Sequence, residues 1–392
     1  MLNYYYWYSL IWGAIIIFYL LGWSKINSSL DVYLLFFFGI TIVSSLVLGV
    51  INRKKFVFVI ASPGPKRDAL ITAFLVSYFV YEFFTYGGVP VLEYLFLHNK
   101  EYGSFQGIKS LFVVVFTFTS FYSIYLFYMY ICLKKNRRLL VEYMLLVIMM
   151  FLTGSRGAIL MNLFAVSIMI FSYYNHGFVK KIFFLISIVM VLYLFGIIGN
   201  LRSGFIWNDS SFITKLGDYS ETYPEYLPNE FMWTYSYLTS PLNNLNYNFA
   251  HNTNNINIFK YLMIYLPDFM VKRTIGDVNA NTNIDLVVPY FNVSTGYAQA
   301  NVYGGIIGMF IMYIMQFVIL SYVLKIIKIR APFLYIPSVA IANVIVAFFF
   351  FVNTLAYSEI SLQIIYPLVF AVVFFKNKKY IHSGSYIKIF YS

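Results

Sequence analysis

The chain has 392 residues, 61% hydrophobic and only 11% charged, with a formal net charge of +12. Soluble domains carry roughly a quarter charged residues, so this balance excludes an ordinary soluble protein. Its long apolar runs are continuous rather than alternating, which excludes a transmembrane β-barrel and predicts an all-α polytopic membrane protein.

Two apolar runs come first, Tyr4–Trp23 and Val32–Val50, joined by a short loop holding Lys25 and Asp31. The first run has no basic leader and no small-residue cleavage site, so it reads as a retained helix rather than a signal peptide. Five basic residues follow between positions 52 and 67. The third run, Ala69–Tyr86, and the fourth, Ile108–Leu133, flank a loop, and KKNRR closes the fourth. The fifth run (Leu139–Thr153) and the sixth (Ala158–Tyr174) are separated only by the turn GSRG. The seventh is Ile182–Gly199. A polar region of about 100 residues then runs to Gln299, followed by runs eight to ten: Val302–Leu324, Pro332–Val352 and Ile360–Phe375. The segment Ile256–Val271, interrupted by Pro267, reads as an interfacial or re-entrant piece inside the polar region. Three parts result: residues 1–199 with seven helices, 200–300 as a large loop, and 301–392 with three helices and a tail.

Alternate loops hold 5, 4, 2, 3 and 4 Lys/Arg, or 18 of the 27, while twelve of the fifteen carboxylates lie in the opposite loops. By the positive-inside rule both termini are cytoplasmic, and the large loop and the GSRG turn face outward. The positive charge is therefore topological, and no nucleic-acid partner is expected. The single cysteine, Cys132, excludes an intramolecular disulfide and reads as a buried small residue.

Arg156 is the costliest residue in the chain. A guanidinium at mid-bilayer costs about 2.5–3.5 kcal/mol on insertion scales, less near the interface. The short fifth run puts Arg156 at or just below the outer interface. Gly154 and Gly157 permit a tight turn, while Ser155 and Thr153 are placed to cap a helix start or donate to phosphate. An Arg beside a helix N-terminus makes an anion site. The alternative is an arginine that only snorkels. Arg202, in GNLRSG, repeats the theme and is either the second half of a pyrophosphate clamp or an interfacial anchor. Lys272 and Arg273 form a third basic point, for which anchoring to anionic headgroups is the better reading. His251 and the loop carboxylates, Glu221 among them, are candidates for a general base, with a solvated loop role as the alternative. With no histidine cluster and no Asp-x-Asp pair, neither metal nor cofactor is expected. Glu142, beside KKNRR, reads as one half of an inner salt bridge, and Glu82 is an intramembrane carboxylate open to either a structural or a functional role.

With GSRG, GNLRSG and the large loop in hand, the chain resembles the O-antigen polymerase family (Wzy type), the polymerases of lipid-linked oligosaccharide repeat units. TYSYLTSPLNNLN (Thr234–Asn246), YLPDFM and FNVSTGYAQANVYGGIIGMF (Phe291–Phe310) resemble further family segments, so the likeness spans roughly residues 150–312. The chain departs from the family at Val302-Tyr303-Gly304, where an acidic D-F-G is common, and at Ser167 and Ile213, where an Arg-x10-Gly motif would require glycine. The resemblance implies a metal-independent glycosyltransferase of the bacterial cytoplasmic (inner) membrane. It would move a growing glycan from undecaprenyl pyrophosphate onto an incoming unit for O-antigen or capsule-type polysaccharide. Arg156, Arg202, Ser155 and Arg273 would bind the lipid-linked substrate, and His251 or Glu221 would take the acceptor proton. Trp207 and Trp233 would offer stacking faces to sugars. Its partners would be membrane lipids and the pathway's flippase and chain-length regulator. An O-antigen ligase and a polysaccharide-unit transporter or flippase are the alternatives.

Overall fold

A computed structural model describes residues 2–58, 69–95, 105–133, 136–174, 178–251, 256–274 and 284–373. Several of the charges that set the expected topology, Lys66, Arg67, Lys134, Lys135, Lys376, Lys378 and Lys379, lie outside the described residues. Among the described residues the fold is all-helical, with only an isolated bridge between Ser24 and Tyr219.

Fifteen α-helices follow in chain order among the described residues. They are α1 (Tyr4–Leu20), α2 (Val32–Asn52), α3 (Leu70–Tyr86), α4 (Pro90–Leu95), α5 (Leu111–Cys132), α6 (Arg137–Leu152), α7 (Arg156–Tyr173) and α8 (Phe178–Arg202). The rest are α9 (Ser211–Leu216), α10 (Phe231–His251), α11 (Ile258–Met263), α12 (Asp268–Thr274), α13 (Ala298–Arg330), α14 (Tyr335–Ala347) and α15 (Ser358–Val373). Among the described residues six helical segments are long and apolar enough to cross a membrane, which makes this a multi-pass membrane protein.

The helices start where short polar side chains can meet orphan amides. Asn3 accepts from the Tyr5 N–H (3.2 Å), Asp31 from Tyr33 (2.7 Å) and Asn136 from Arg138 (3.1 Å). α3 stops at Gly87, whose φ of 79° only glycine adopts cheaply.

Burial separates inner helices from outer ones. Every residue of α14 is buried, against α1, α5, α7, α13 and α15. α2 instead shows two faces. Val32, Phe36, Ile40, Val43 and Val47 are exposed, while Phe37, Phe38, Thr41, Ser45 and Gly49 are buried. Apolar outside and small or polar inside is the pattern of a helix at a lipid boundary. At Gly49 a Cβ would stand 2.4 Å from the Tyr6 ring, so glycine is what lets α1 approach α2, and Asn3 donates to the Gly49 carbonyl at 2.9 Å.

The two carboxylates carried by the apolar helices are both paired. Glu142 takes Arg138 Nε at 3.1 Å, as the sequence leads one to expect, and also the Thr72 hydroxyl at 2.5 Å. Glu82 accepts from the Tyr78 hydroxyl and the Ile108 amide, so it ties α3 to the start of α5.

Two elements differ from the sequence reading. The eighth apolar run begins earlier, at Ala298, and is broken at Gly305 (φ 58°, ψ −155°). The break lets a short N-terminal piece turn back, so that Tyr261 reaches the Gly308 carbonyl at 2.7 Å. The polar region is not all loop: residues 231–251 form α10, packed on α1, α8 and α13. Its apolar content is too low to announce a membrane helix, and its buried side chains are largely hydroxyls and amides.

Candidate functional site

The GSRG turn is built as its glycines require. Gly154 sits at φ 84°, and the turn ends as Arg156 opens α7. Ser155 occupies the N-cap position but makes no side-chain cap bond, and the Thr153 hydroxyl returns to the Met150 carbonyl at 2.7 Å. Ser155 therefore does not cap the α7 amides. The half-buried Arg156 guanidinium lies over the Phe195 ring of α8, 5.3 Å from its centroid.

Phe195 and Arg202 are seven residues apart, so they share one face of α8, with a rise of about 10 Å between them. Arg202 is the last residue of α8, not a residue beyond it, and is half-buried. Arg156 of α7 thus lies against the face of α8 that also bears Arg202, about 10 Å further along that helix. Just inside Arg202, Asn200 is fully buried: it accepts from Trp233 Nε1 (2.7 Å) and donates to the Trp207 carbonyl (3.0 Å) and Ser210 (3.1 Å). Gly199 lets the Trp233 ring close in, since a Cβ there would meet it at 2.6 Å. Trp233 is 2% exposed and stacked on Phe212, so it is a core residue and offers no free face to a sugar. Trp207 is exposed.

The other expected site residues scatter. Arg273 is exposed and donates to the Ser110 hydroxyl at 2.9 Å, tying α12 to the head of α5. Glu221 is exposed on a strap, residues 217–222, that is laced to the α1–α2 loop. There the Lys25 amide donates to the Asp218 carbonyl (2.8 Å), the Ser220 amide to Trp23 (2.8 Å), and the Thr222 hydroxyl to Gly22 (3.1 Å). His251 is exposed at the end of α10. Its Nδ1 lies 2.9 Å from the Tyr247 carbonyl and its ring stacks on Tyr247. An N–H on Nδ1 for that bond leaves Nε2 with its lone pair. Eighteen residues separate His251 from Trp233, about 27 Å along the helix. His251 is therefore not brought to the arginine end, whereas Glu221 stays near the head of α10.

The ionisable groups around the strap have fixed roles. Burial pushes the Tyr219 hydroxyl well above its ordinary range, and it remains a donor to the Met232 carbonyl. Burial, helped by the Glu230 charge, pushes Tyr223 up to about 12. The Ser211 hydroxyl and amide hold Asp209 below the usual carboxylate range. The tyrosines are thus poor bases, which leaves the carboxylates.

A feature that the sequence reading passed over is the polar face of α10. Ser236, Thr239, Ser240, Asn243 and Asn244 fall at i, i+3, i+4, i+7 and i+8, on one side of the helix. Asn243 accepts from Tyr19 (2.9 Å) and donates to the Ile26 carbonyl (3.0 Å). Asn246 accepts from the Asp31 amide (2.9 Å) and donates to the Ser29 carbonyl (3.0 Å). These two hold the α1–α2 loop. Asn244 donates to the Phe291 (2.9 Å) and Val293 (2.7 Å) carbonyls and accepts from Val287 (3.0 Å), while Asn248 exchanges two bonds with Asp285. These two hold residues 285–293. The sequence signal was the helical spacing of polar residues in YSYLTSPLNNLN. Between the two loops a small cleft of about 10 Å³, the size of one water, opens beside Ser240.

Against protein-family models, curated proteins and solved structures, the chain finds no match. Its activity must be read from its own residues.

Proposed function

We propose that this chain polymerises undecaprenyl-pyrophosphate-linked oligosaccharide units at the outer face of a bacterial cytoplasmic membrane. It spans that membrane about ten times, with both termini inside. The growing glycan passes from its lipid carrier to a hydroxyl of the incoming unit, and undecaprenyl pyrophosphate leaves.

The observation that carries this reading is Arg156, at the start of α7 over Phe195 of α8, with Arg202 on the same face of α8 as Phe195, beside an N-cap Ser155 that makes no side-chain cap bond. A pyrophosphate leaving group gains negative charge as its bond to the sugar breaks. Guanidiniums and helix-start amides set in a partly desolvated site stabilise that charge more in the transition state than in the ground state. The donor is already activated, so the step needs no nucleotide sugar. The acceptor hydroxyl loses a proton. We assign its uptake to Glu221, the exposed carboxylate near the head of α10.

The test is chain length in cells and with purified protein. Arg156→Ala and Arg202→Ala are expected to insert and fold, to lower polymerisation by about 10²–10³-fold each, and to leave single-unit product. Glu221→Gln is expected to cost about 10²-fold or more. Normal chain lengths in both arginine variants would remove the clamp. Long lipid-linked polymer that accumulates unattached in a strain lacking the protein would point to a ligase instead.

A further inference from the structure

Residues 256–274, which carry α11 and α12, take no part in the arginine end or in the loop anchoring on α10. They are tied instead to the starts of three apolar helices. The Asn257 amide donates to the Tyr303 carbonyl (3.2 Å) and the Tyr261 hydroxyl to the Gly308 carbonyl (2.7 Å), on either side of the break at Gly305. The Asp268 amide donates to the Ala356 carbonyl (2.8 Å), the Phe269 amide to the Ser358 hydroxyl (3.3 Å), and Arg273 to the Ser110 hydroxyl (2.9 Å). Ser358 opens α15 and Ser110 is the N-cap of α5. Past Gly305, α13 runs on to Lys328 and Arg330 at its other end. One short segment thus passes the same end of three helices, as a belt at one level.

The belt has two sides. Ile264, Pro267 and Val271 are buried, whereas Ile258, Phe259, Leu262, Leu266, Phe269 and Met270 are exposed. Leu266, Phe269, Met270 and Arg273 fall at i, i+3, i+4 and i+7, so they share the outward side.

Two observations point to what covers that side. The first is continuity. On α13, which is long and apolar enough to cross a membrane, Ile307, Ile311, Ile314 and Val318 form an exposed stripe at i, i+4, i+7 and i+11. Such a stripe faces acyl chains, and it begins at Ile307, next to the Gly308 on which Tyr261 docks. The second is charge. The belt carries Lys260, Lys272 and Arg273 against one carboxylate, Asp268, and exposed Lys109 precedes the Ser110 that Arg273 binds. Apolar side chains edged by cations fit the boundary between acyl chains and phosphate headgroups.

We infer that residues 256–274 lie in the headgroup layer as an interfacial belt, with Phe259, Leu262, Phe269 and Met270 among the acyl chains, and that Lys272 and Arg273 hold the phosphate of an anionic glycerophospholipid. This seating needs no polymerase activity. It gives Arg273 to the surrounding lipid and not to the lipid-linked substrate that the family resemblance implies for it.

The experiment uses the full chain carrying Cys132→Ser, in nanodiscs of phosphatidylcholine and phosphatidylglycerol. Spin labels at Phe259→Cys and Phe269→Cys are expected to collide with oxygen and to be shielded from a water-soluble nickel chelate, like a label at Ile311→Cys in the α13 stripe. A label at Tyr226→Cys, 84% exposed elsewhere in the polar region, is expected to show the reverse. Nickel exposure at positions 259 and 269 equal to that at 226 is the result for a face turned to water, and it overturns the belt. Spin-labelled phosphatidylglycerol is expected to be retained over phosphatidylcholine by the parent and by Arg273→Lys. That preference is expected to fall about fivefold for each charge removed in Lys272→Gln and Arg273→Gln. An unchanged preference in the double variant overturns the headgroup site. So does displacement of phosphatidylglycerol by an equimolar amount of undecaprenyl pyrophosphate, which would make the site one for substrate.

Discussion

The end of α8 and the face of α10 hold polar groups near apolar surroundings in opposite ways. Beside the end of α8, Arg156 and Arg202 are half-buried, so each keeps part of its charged side chain outside the packed interior. On α10 the side chains are neutral and deeply buried, and each asparagine is engaged by backbone. A guanidinium can stay solvated at its tip and act on a passing anion. A buried amide must be paired, and asparagine, with both a donor and an acceptor, pairs with loop backbone much as a neighbouring strand would. In a membrane protein, where exposed backbone is expensive, α10 thus serves as the support on which two irregular loops are hung. On the proposed function the first region acts on a ligand, while most of the second holds the fold.

That contrast breaks most sharply on the arginines. Arg156→Ala and Arg202→Ala should lose about 10²–10³-fold in polymerisation with melting temperatures close to the parent. Arg156→Lys should fall between, because it keeps the charge and loses the planar fork. If either alanine variant melts far below the parent, the arginines belong with the structural class and the contrast fails.

The next effect falls on stability alone. Asn244→Ala leaves the Phe291 and Val293 carbonyls and the Val287 amide without their partner. The expected loss is about 3 kcal/mol or more, at 1–3 kcal/mol for each buried group orphaned. Thermal unfolding in detergent measures it. An unchanged transition would mean that the loop at 285–293 does not depend on α10. Ser240→Ala should move the other way, with a gain of about 1 kcal/mol, since it removes an unpaired buried hydroxyl.

Legibility in the sequence followed the same division. Long apolar runs made the membrane helices plain, and glycine-framed arginine made the GSRG turn plain, because both are local signals. The Arg138–Glu142 pair was also readable, being one helical turn apart. α10 was hidden because its composition is that of a loop; only tertiary pairing with residues 22–31 and 285–293 makes such a helix stable. The same holds for Trp233, whose burial depends on Gly199 and Asn200 in another helix. The break at Gly305 was masked by a continuous apolar run on its far side.

The smallest expected effect concerns His251, and it tests where the reaction lies. The ring is exposed, its Nδ1 hydrogen-bonds to the Tyr247 carbonyl of its own helix, and Tyr247 also stacks on it. Removal of an exposed contact of this kind shifts stability by about 0.5 kcal/mol or less. About 27 Å of helix separates His251 from Trp233, the residue bonded to Asn200 beside Arg202. A base must reach the acceptor hydroxyl within hydrogen-bond distance, directly or through one water, so a fixed helix of that length keeps His251 out of a step at the arginines. His251→Ala should therefore retain parental chain length and turnover, while Glu221→Gln loses both. Should His251→Ala abolish polymer and Glu221→Gln spare it, the proton transfer would move to the far end of α10. The arginines would then be left as lipid anchors.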